Sequence, residues 1–405
     1  MLYLKGMSFE ELMRKHVATV DLDIRKKPDG YSRYMDQKVT PDVLTFIADC
    51  IVNFLGGKNP DTIFTTKDIW DFPYFQKNTV AIFSKPSPIN ESARAEYDKF
   101  IAQPLKTLAF AKILKEEKVG VKNTYKVLQP ELLEYISQNE RNSLLFLVIY
   151  IEKVLSDSGF IKELNVYKDK ALAGTITKDD FDLLKGKFEI FMRGYTNING
   201  DTEIRRIFPK VLNPYAVYNM INGTEDGHMS ENRFVYSDLM YNRENFRDIG
   251  KDKALTRTEG EEVVENKPEL SAYKTQKAKN IIRRNHSSSE VYDSLATGEA
   301  TQVHHIFPEH EFPEISAYIE NLILLTPQQH NTKAHPSNHT QSIDRDYQKE
   351  CLLSKIDSIE RSLKQGKDIY SIESLTHVIN IGLSLELSTK TTFDELRSVV
   401  KKSYL

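Results

Sequence analysis

The chain has 405 residues, which is enough for two or three domains of ordinary size. Its 40% hydrophobic and 28% charged residues are typical of a folded globular protein and rule against a disordered or fibrous chain. The 55 Lys and Arg against 58 Asp and Glu give a net charge of −3, which disfavours binding of nucleic acid or membranes through bulk positive charge.

The sequence gives little indication of a transmembrane helix, a secretory signal or disulfide bonds. The longest apolar run, over 144–151, is much shorter than the roughly 20 residues of a transmembrane helix. The amino terminus lacks the order of a secretory signal and predicts an amphipathic helix, so we expect a protein of the bacterial cytoplasm. Cys50 and Cys351 lie far apart, which favours free thiols over a disulfide framework or a cysteine zinc ribbon.

Residues 1–160 predict a mainly helical region. Apolar residues at helical spacing predict a helix from Leu105 to Lys118 that ends at Gly120. A short β-type run follows, then Pro130 at the first position of a helix and an apolar helix over 143–155. This order of helix, short strand and helices is compatible with a winged-helix-like module for DNA recognition.

Residues 161–270 contain short patterns broken by Asn and Gly, which predicts a loop-rich α+β region. Within it, the tract over 236–248 combines Tyr, Asn and Arg, the side chains that stack on bases, read base edges and bind phosphates. Asn242, Arg243 and Arg247 are therefore candidate DNA contacts. The alternative is a solvated loop anchored by aromatic residues.

Charge changes sharply after this region. An acidic segment that ends at Glu269 predicts a linker, and a basic run with no acid before Glu290 predicts a helix. The basic residues of this run are Lys274, Lys277, Lys279, Arg283 and Arg284. A solvated helix face is the ordinary alternative, but the run directly precedes a histidine cluster, so we predict that Lys274, Lys277, Arg283 and Arg284 contact DNA phosphates.

Six of the ten histidines fall within residues 304–339, far more than even scattering would place there. They are His304, His305, His310, His330, His335 and His339. Two β-type runs, over 303–307 and 322–325, are each followed by proline, and a short helix follows the second run. A strand, loop, strand and helix in this order would place a strand histidine beside a histidine of the helix start, around one divalent cation.

His304-His305, Asn321 and His330 resemble the HNH, or ββα-metal, nuclease motif of colicin nucleases, homing endonucleases and many restriction enzymes. The resemblance covers about residues 301–340. More widely, the segment ENLILLTPQQH and the tract over 236–248 are similar to HNH-type Type II restriction endonucleases, some of which cleave outside their recognition site.

The resemblance implies a role for each motif residue. His304 and His330 would be metal ligands for Mg²⁺, or for Mn²⁺ or another divalent transition metal. His305 would be the general base, because a neutral imidazole accepts a proton from water at neutral pH. Asn321 would brace the connecting loop through backbone hydrogen bonds. His310 and His339 are interpreted as solvent-exposed or supporting residues.

The third metal ligand stays open between Asn331 and His335. Members of the family often place it four residues after the helix histidine, where this chain has Ala334. Five residues turn a regular helix by about 500°, or about 140° away from the ligand face. His335 could therefore bind the metal only if the helix tightens or ends, which Pro336 makes possible.

We therefore expect a multidomain α+β protein. A ββα-metal module over 271–345 would follow a largely helical DNA-recognition region, and helices would fill 346–405. The expected function is a sequence-specific double-stranded DNA endonuclease of the Type II restriction class, leaving 5′-phosphate and 3′-hydroxyl ends. A cognate DNA methyltransferase in the host and a homodimer on DNA would accompany it. The alternatives are a less specific or modification-dependent defence nuclease and a non-catalytic DNA-binding protein with a structural zinc.

Overall fold

The computed structural model describes most of the chain and divides it into two compact units. The described residues are 8–26, 33–56, 58–59, 61–83, 88–89, 94–241, 268–334, 344–367 and 369–404. The N-terminal unit comprises residues 10–244, and the C-terminal unit comprises residues 245–405 with the first nine residues. The fold is α+β, mostly helical with small antiparallel sheets. None of the described helices is both long and apolar enough to cross a membrane.

Helices dominate the N-terminal unit. They are α1 (Phe9–Ala18), α2 (Pro41–Leu55), α3 (Thr66–Trp70), α4 (Pro73–Phe83), α5 (Arg94–Phe110), α6 (Pro130–Gln138), α7 (Glu140–Asp157), α8 (Ile161–Leu172), α9 (Lys178–Tyr195) and α10 (Asp201–Asn219). The strands are β1 (Phe64–Thr65), β2 (Leu114–Val119), β3 (Lys122–Val127), β4 (Asn222–Glu225) and β5 (His228–Arg233). Both predicted helix starts hold: Pro130 opens α6, and α7 spans the predicted apolar helix.

The helix predicted over 105–118 is wrong in its second half. Helix α5 ends at Phe110, and β2 pairs with β3 in an antiparallel hairpin. Ile113 and Leu114 are buried like the apolar residues before them. The spacing of apolar residues in the sequence therefore still matches a helix after the helix itself has ended. Gly120 has a φ of +63° and forms the hairpin turn rather than a helix stop. Strand β3 also pairs with β1, which gives a sheet of order β1-β3-β2.

The loop-rich region predicted after residue 160 is instead helical as far as α10. The first Asn-Gly break ends at Gly200, which is only the N-cap residue of that helix. The second break is the β4-β5 hairpin, whose two turn residues Asp226 and Gly227 have φ values of 50° and 83°. A two-residue turn with both φ values positive fits the right-handed twist of paired strands. Local turn residues are therefore compatible with long helices on either side.

The C-terminal unit combines one short hairpin with helices. Its elements are α11 (Pro268–Asn285), β6 (Gln302–His305), β7 (Leu322–Leu325), α12 (Pro327–Gln329), a π-helix (His330–Ala334), α13 (Arg345–Lys364), α14 (Ile372–Leu383) and α15 (Phe393–Ser403). The predicted basic helix, the two strands, the short helix after them and the C-terminal helices are all confirmed.

Strand β7 lies at the centre of the C-terminal unit. All four of its residues are buried, and they belong to a hydrophobic core that α13, α14 and α15 complete. Strand β6 pairs antiparallel with β7, with His304 opposite Ile323 and His305 opposite Leu322. Helix α11 packs against both strands. The hairpin is thus held rigidly, and it carries the two adjacent histidines at its end.

Candidate functional site

Strand β6 and the π-helix bring His304 and His330 together. Their ring centroids lie 5.5 Å apart, with the planes at 80°. His304 is only 5% exposed, whereas His330 is half-buried at the start of the π-helix. A buried imidazole facing a second imidazole is the pairing that the sequence motif predicts for two ligands of one cation.

The helix start before His330 is fixed by a buried amide. Thr326 and Gln329 form a capping box around α12. The Gln329 side chain is fully buried; its Oε1 accepts from Ser289 Oγ at 2.7 Å, and its Nε2 donates to Val291 O at 2.9 Å and to Asp293 Oδ1 at 3.0 Å. Gln329 therefore ties the residue before His330 to the segment over 289–293, which sets where His330 lies.

Asn331 orients the His330 ring. His330 Nδ1 and Asn331 Oδ1 lie 3.1 Å apart. Since an amide oxygen can only accept, Nδ1 carries the proton and the lone pair of the ring is on Nε2. Histidine ligands commonly donate their second ring N–H to an acceptor in this way. This contact favours an orienting role for Asn331 over direct ligation.

The other candidate third ligand, His335, lies outside the described residues, as does His339. The spacing argument for His335 assumed regular α-helical rotation. Residues 330–334 are instead π-helical, with hydrogen bonds that run to the fifth rather than the fourth residue. The rotation assumed for a five-residue separation therefore does not apply over this turn.

The residues present form a partial donor set. Within the described ranges, no group of three or more His, Cys, Asp and Glu side chains is placed to hold a metal ion. The described site supplies two imidazoles, with the Asn331 amide oxygen beside one of them. Imidazole suits divalent transition metals, and a site with few protein ligands leaves positions for water and a phosphate. The described donors are therefore of the kind that a divalent transition metal binds.

His305 is held apart from this pair, on the loop side of the hairpin. Its Nε2 lies 3.0 Å from the carbonyl oxygen of Ser316. Because a carbonyl only accepts, Nε2 carries the proton and Nδ1 has the lone pair. Burial, followed by repulsion from the Lys279 ammonium, lowers the pKa of His305 below its ordinary value. The ring is therefore neutral at pH 7 and can accept a proton.

Asn321 braces the loop between the strands. Its Oδ1 accepts from Phe307 N at 2.8 Å, and its Nδ2 donates to Phe307 O at 3.0 Å and to Ile315 O at 3.2 Å. The side chain is fully buried. One amide thus connects the end of β6 to the residue before Ser316, the partner of His305. These backbone bonds are of the kind predicted for Asn321.

Helix α11 places the predicted phosphate contacts differently from the prediction. Lys277 is only 8% exposed, because the buried Tyr273 and Ile281 lie one turn before and after it on the same helix face. Its ammonium lies 5.7 Å from the Tyr273 ring centroid. Lys274 and Arg284 are half-buried, and Arg283 is exposed. Of the four, Arg283 is the most accessible to a phosphate.

The candidate base contacts Asn242, Arg243 and Arg247 lie outside the described residues. Tyr241, just before them, is anchored in the N-terminal unit: its backbone N donates to Asp42 at 2.9 Å, and its hydroxyl donates to Glu96 at 2.8 Å. His310 is exposed, with Glu311 at 3.3 Å, as its interpretation predicts.

Sequence reasoning missed two residues near the histidines. Gln329 carries a readable signal, since Thr followed three residues later by Gln is a capping-box pattern. Lys279 was part of the basic run, yet the predicted contacts left it out. Helix α11 packs against both strands, and the charge of Lys279 helps to lower the pKa of His305, which the sequence alone does not indicate.

Comparison of the chain with protein-family models, with curated proteins and with solved structures finds no match.

Proposed function

We propose that the protein is a metal-dependent DNA endonuclease of the HNH type, with residues 302–334 as the catalytic unit. One observation carries the proposal: the His304 and His330 rings lie 5.5 Å apart, while His305, on the same strand, is fixed by a loop carbonyl with Nδ1 as its basic nitrogen. Two ligand-type imidazoles and a separate, neutral, oriented imidazole are the parts that metal-assisted phosphodiester hydrolysis requires.

His305 would accept the proton of the attacking water at Nδ1. Its hydrogen bond to Ser316 O fixes the tautomer, and its lowered pKa keeps the ring unprotonated at neutral pH. Asn321 keeps the geometry, because it joins the strand end that carries His305 to the loop that carries Ser316. A base that is oriented before substrate binds does not have to be ordered during the reaction.

His304 and His330 would hold the cation, Mg²⁺ or Mn²⁺, with Asn331 orienting the His330 ring. When bound, such a cation polarises the scissile phosphate and stabilises the leaving 3′ oxygen. The third protein ligand would be His335 if one is used. The buried amide of Gln329 would keep His330 at a fixed distance from His304.

The substrate would be double-stranded DNA, and the N-terminal unit would supply recognition. Helix α2, strand β1, helices α3, α4 and α5, and the β2-β3 hairpin follow the order of a winged-helix module with one additional helix, which supports DNA binding. More than 200 residues beyond the catalytic unit favour a sequence-specific enzyme of the Type II restriction class. Such an enzyme would act in the bacterial cytoplasm beside a cognate methyltransferase and could cut both strands as a homodimer.

Cleavage of supercoiled plasmid with Mg²⁺ or Mn²⁺ tests the proposal. The wild-type protein should give discrete fragments with 5′-phosphate ends. His305→Ala should slow cleavage by about 10²–10⁴-fold, because a general base contributes about that much. Its affinity for metal and DNA should be unchanged. His310→Ala is the matched control, since it removes an exposed histidine five residues away and should cut at the wild-type rate.

Other outcomes favour the alternatives. A smear of products, or cleavage that depends on DNA methylation, would favour a less specific or modification-dependent defence nuclease. Tight DNA binding with no cleavage, together with a zinc ion that resists chelation, would favour a non-catalytic protein with a structural zinc. A His305→Ala variant as fast as the wild type would contradict the assigned base.

A further inference from the structure

Lys279 lies on the face of α11 that packs against the catalytic hairpin. Its neighbours one turn away on that face, Thr275 and Ile282, are 6% and 0% exposed. Lys279 itself is half-buried. Lys274 is five residues earlier, which puts it about 140° around the helix. The helix therefore directs Lys279 toward the strands and Lys274 elsewhere.

The Lys279 ammonium has no direct partner in the described part of the chain. No hydrogen bond or ion pair joins it to any described residue. The charges of Glu309 and Arg283 nevertheless affect the pKa of Lys279, and the charge of Lys279 affects the pKa of His305. Glu309 is an exposed side chain of the loop that follows β6. A half-buried ammonium without a bonded carboxylate has lost hydration without replacement, which is unfavourable unless an anion binds there.

Burial lowers the pKa of Lys279, as expected for an ammonium that lacks a bonded counter-charge. Several other lysines of the described chain, such as Lys153, Lys170 and Lys187, each lie within 2.6 Å of a carboxylate oxygen, whereas Lys279 does not. Lys279 thus combines three features, namely partial burial, no bonded carboxylate, and proximity to the proposed general base.

We propose that Lys279 binds a non-bridging oxygen of the phosphate that is cleaved and stabilises the negative charge that builds up on it. This inference rests on the proposed function and extends it by assigning the residue that contacts the reacting phosphate. The bond from the water oxygen to phosphorus forms, and the bond to the 3′ oxygen breaks. The water proton goes to His305, and solvent protonates the 3′ oxygen. Lys279 stays protonated throughout.

The position explains why sequence reasoning passed over Lys279. A phosphate contact chosen by exposure would be Arg283, one turn later and fully on the surface. Exposed cations bind the backbone of any DNA and contribute to affinity, whereas a partly desolvated cation at the reacting atoms acts on the transition state. We therefore expect Lys279 to affect the rate of the chemical step and Arg283 to affect affinity.

The test compares Lys279→Gln, Lys279→Arg and the control Lys402→Gln, which removes an exposed lysine of α15 in the same unit. Single-turnover cleavage of plasmid by saturating full-length protein with Mn²⁺ measures the chemical step. DNA affinity is measured separately in EDTA, and Mn²⁺ affinity without DNA. Lys279→Gln should slow cleavage about 10²-fold, the usual loss for one preorganised donor at a developing charge.

Its DNA affinity should fall by no more than about threefold, because one of several phosphate contacts is lost. Lys279→Arg should recover at least about a tenth of the wild-type rate, because it keeps the charge. Lys279→Arg and Lys279→Gln should both bind Mn²⁺ with the wild-type affinity. The control Lys402→Gln should match the wild type in cleavage rate, DNA affinity and Mn²⁺ affinity.

A wild-type rate for Lys279→Gln would overturn this inference alone. So would a loss that appears only in DNA affinity, a loss of Mn²⁺ affinity, or a Lys279→Arg variant as slow as Lys279→Gln. A wild-type protein that binds DNA but never cleaves it would overturn the proposed function, so the two failures are distinguishable.

Discussion

Two polar clusters lie on opposite edges of strand β7. The buried ion cluster consists of Glu290, Lys355, Tyr370 and His286, and its Glu290 hydrogen-bonds to Leu324 on the edge that faces away from β6. The histidine cluster consists of His304, His305 and His330, and it lies on the β6 side. Both clusters contain buried polar side chains next to the same four apolar residues. They differ in what those side chains bind.

In the buried ion cluster, charges neutralise each other. Lys355 Nζ lies 3.1 Å from Glu290 Oε2 and 2.9 Å from the Tyr370 hydroxyl, and His286 Nε2 lies 2.7 Å from that hydroxyl. Glu290 Oε1 also accepts from Leu324 N at 2.9 Å. Burial disfavours the charged form of His286 and, together with repulsion by Lys355, lowers its pKa to about 4.

The histidine cluster has the opposite chemistry. The His304 and His330 rings lie 5.5 Å apart in an edge-to-face arrangement, and two imidazoles do not neutralise one another. A bound cation would therefore stabilise the histidine cluster, whereas the charged members of the ion cluster stabilise each other. The comparison divides the expected roles: the ion cluster would determine stability, and the histidine cluster would serve the proposed cleavage.

Replacement of Lys355 by Met should give the largest loss of stability. Removing one partner leaves the Glu290 carboxylate buried and uncompensated, which costs about 3–5 kcal/mol. Hydrogen exchange of the β7 amides in urea would measure the loss in the C-terminal unit. The double variant Lys355→Met, Glu290→Leu is the control, because removing both charges should recover most of the stability. A single variant as stable as the wild type would show that the ion pair contributes little.

Glu320, a buried carboxyl that is affected by the charge of Lys355, supplies a pH-dependent test of the region around the ion cluster. Burial raises the pKa of Glu320 to about 7, above its ordinary value of 4.5. The folded state therefore binds this proton more tightly than the unfolded state, so the stability it contributes is present below about pH 4.5 and lost as the pH rises through about 7. The loss at pH 8 is about 3 kcal/mol, which follows from the difference between a pKa of 4.5 in the unfolded chain and about 7 in the folded protein.

Glu320→Gln removes this titration while keeping an oxygen for Ser371 N. The variant should gain about 2–4 kcal/mol relative to the wild type between pH 5 and pH 8, measured by urea unfolding at each pH. Titration of His286 is common to both proteins and cancels in the comparison. A constant difference between the two proteins across this range would contradict the raised pKa.

Gln329 is expected to affect both properties, because it is buried in the fold and also positions His330 in the proposed metal site. Gln329→Glu would place carboxylate oxygen against Val291 O and Asp293 Oδ1, where the amide now donates. We expect a loss of about 1–3 kcal/mol from the unsatisfied acceptors and about a tenfold weaker metal affinity, since His330 is no longer held. Calorimetric Mn²⁺ titration would measure the second effect. Unchanged metal affinity would show that Gln329 supports the fold alone.

These residues also show what the sequence could and could not predict. Strands β6 and β7 and the order of the histidines were readable, because short β-type runs ending at proline are local signals. The bond from His305 to Ser316 O and the ion pair of Glu290 with Lys355 join residues that the sequence separates by 11 and 65 positions. No local pattern encodes such contacts. The hairpin at Gly120 was missed for the same reason, since only pairing with β3 makes β2 a strand.

His330→Ala should have the smallest effect on the stability of the metal-free protein. The ring is half-buried, and its removal leaves no buried charge, so the loss should be below about 1 kcal/mol. Added Mn²⁺ should make the stabilities of the wild type and His330→Ala differ. A ligand that binds only the folded state stabilises by about 2.7 kcal/mol at a concentration 100 times its dissociation constant, so the wild type should be stabilised by Mn²⁺ and the variant should not. The Lys355→Met variant, although far less stable, should keep the full Mn²⁺ response, because its histidine cluster is intact. If Mn²⁺ stabilised His330→Ala as much as the wild type, the cation would bind elsewhere, and the distinction between the two edges of β7 would fail.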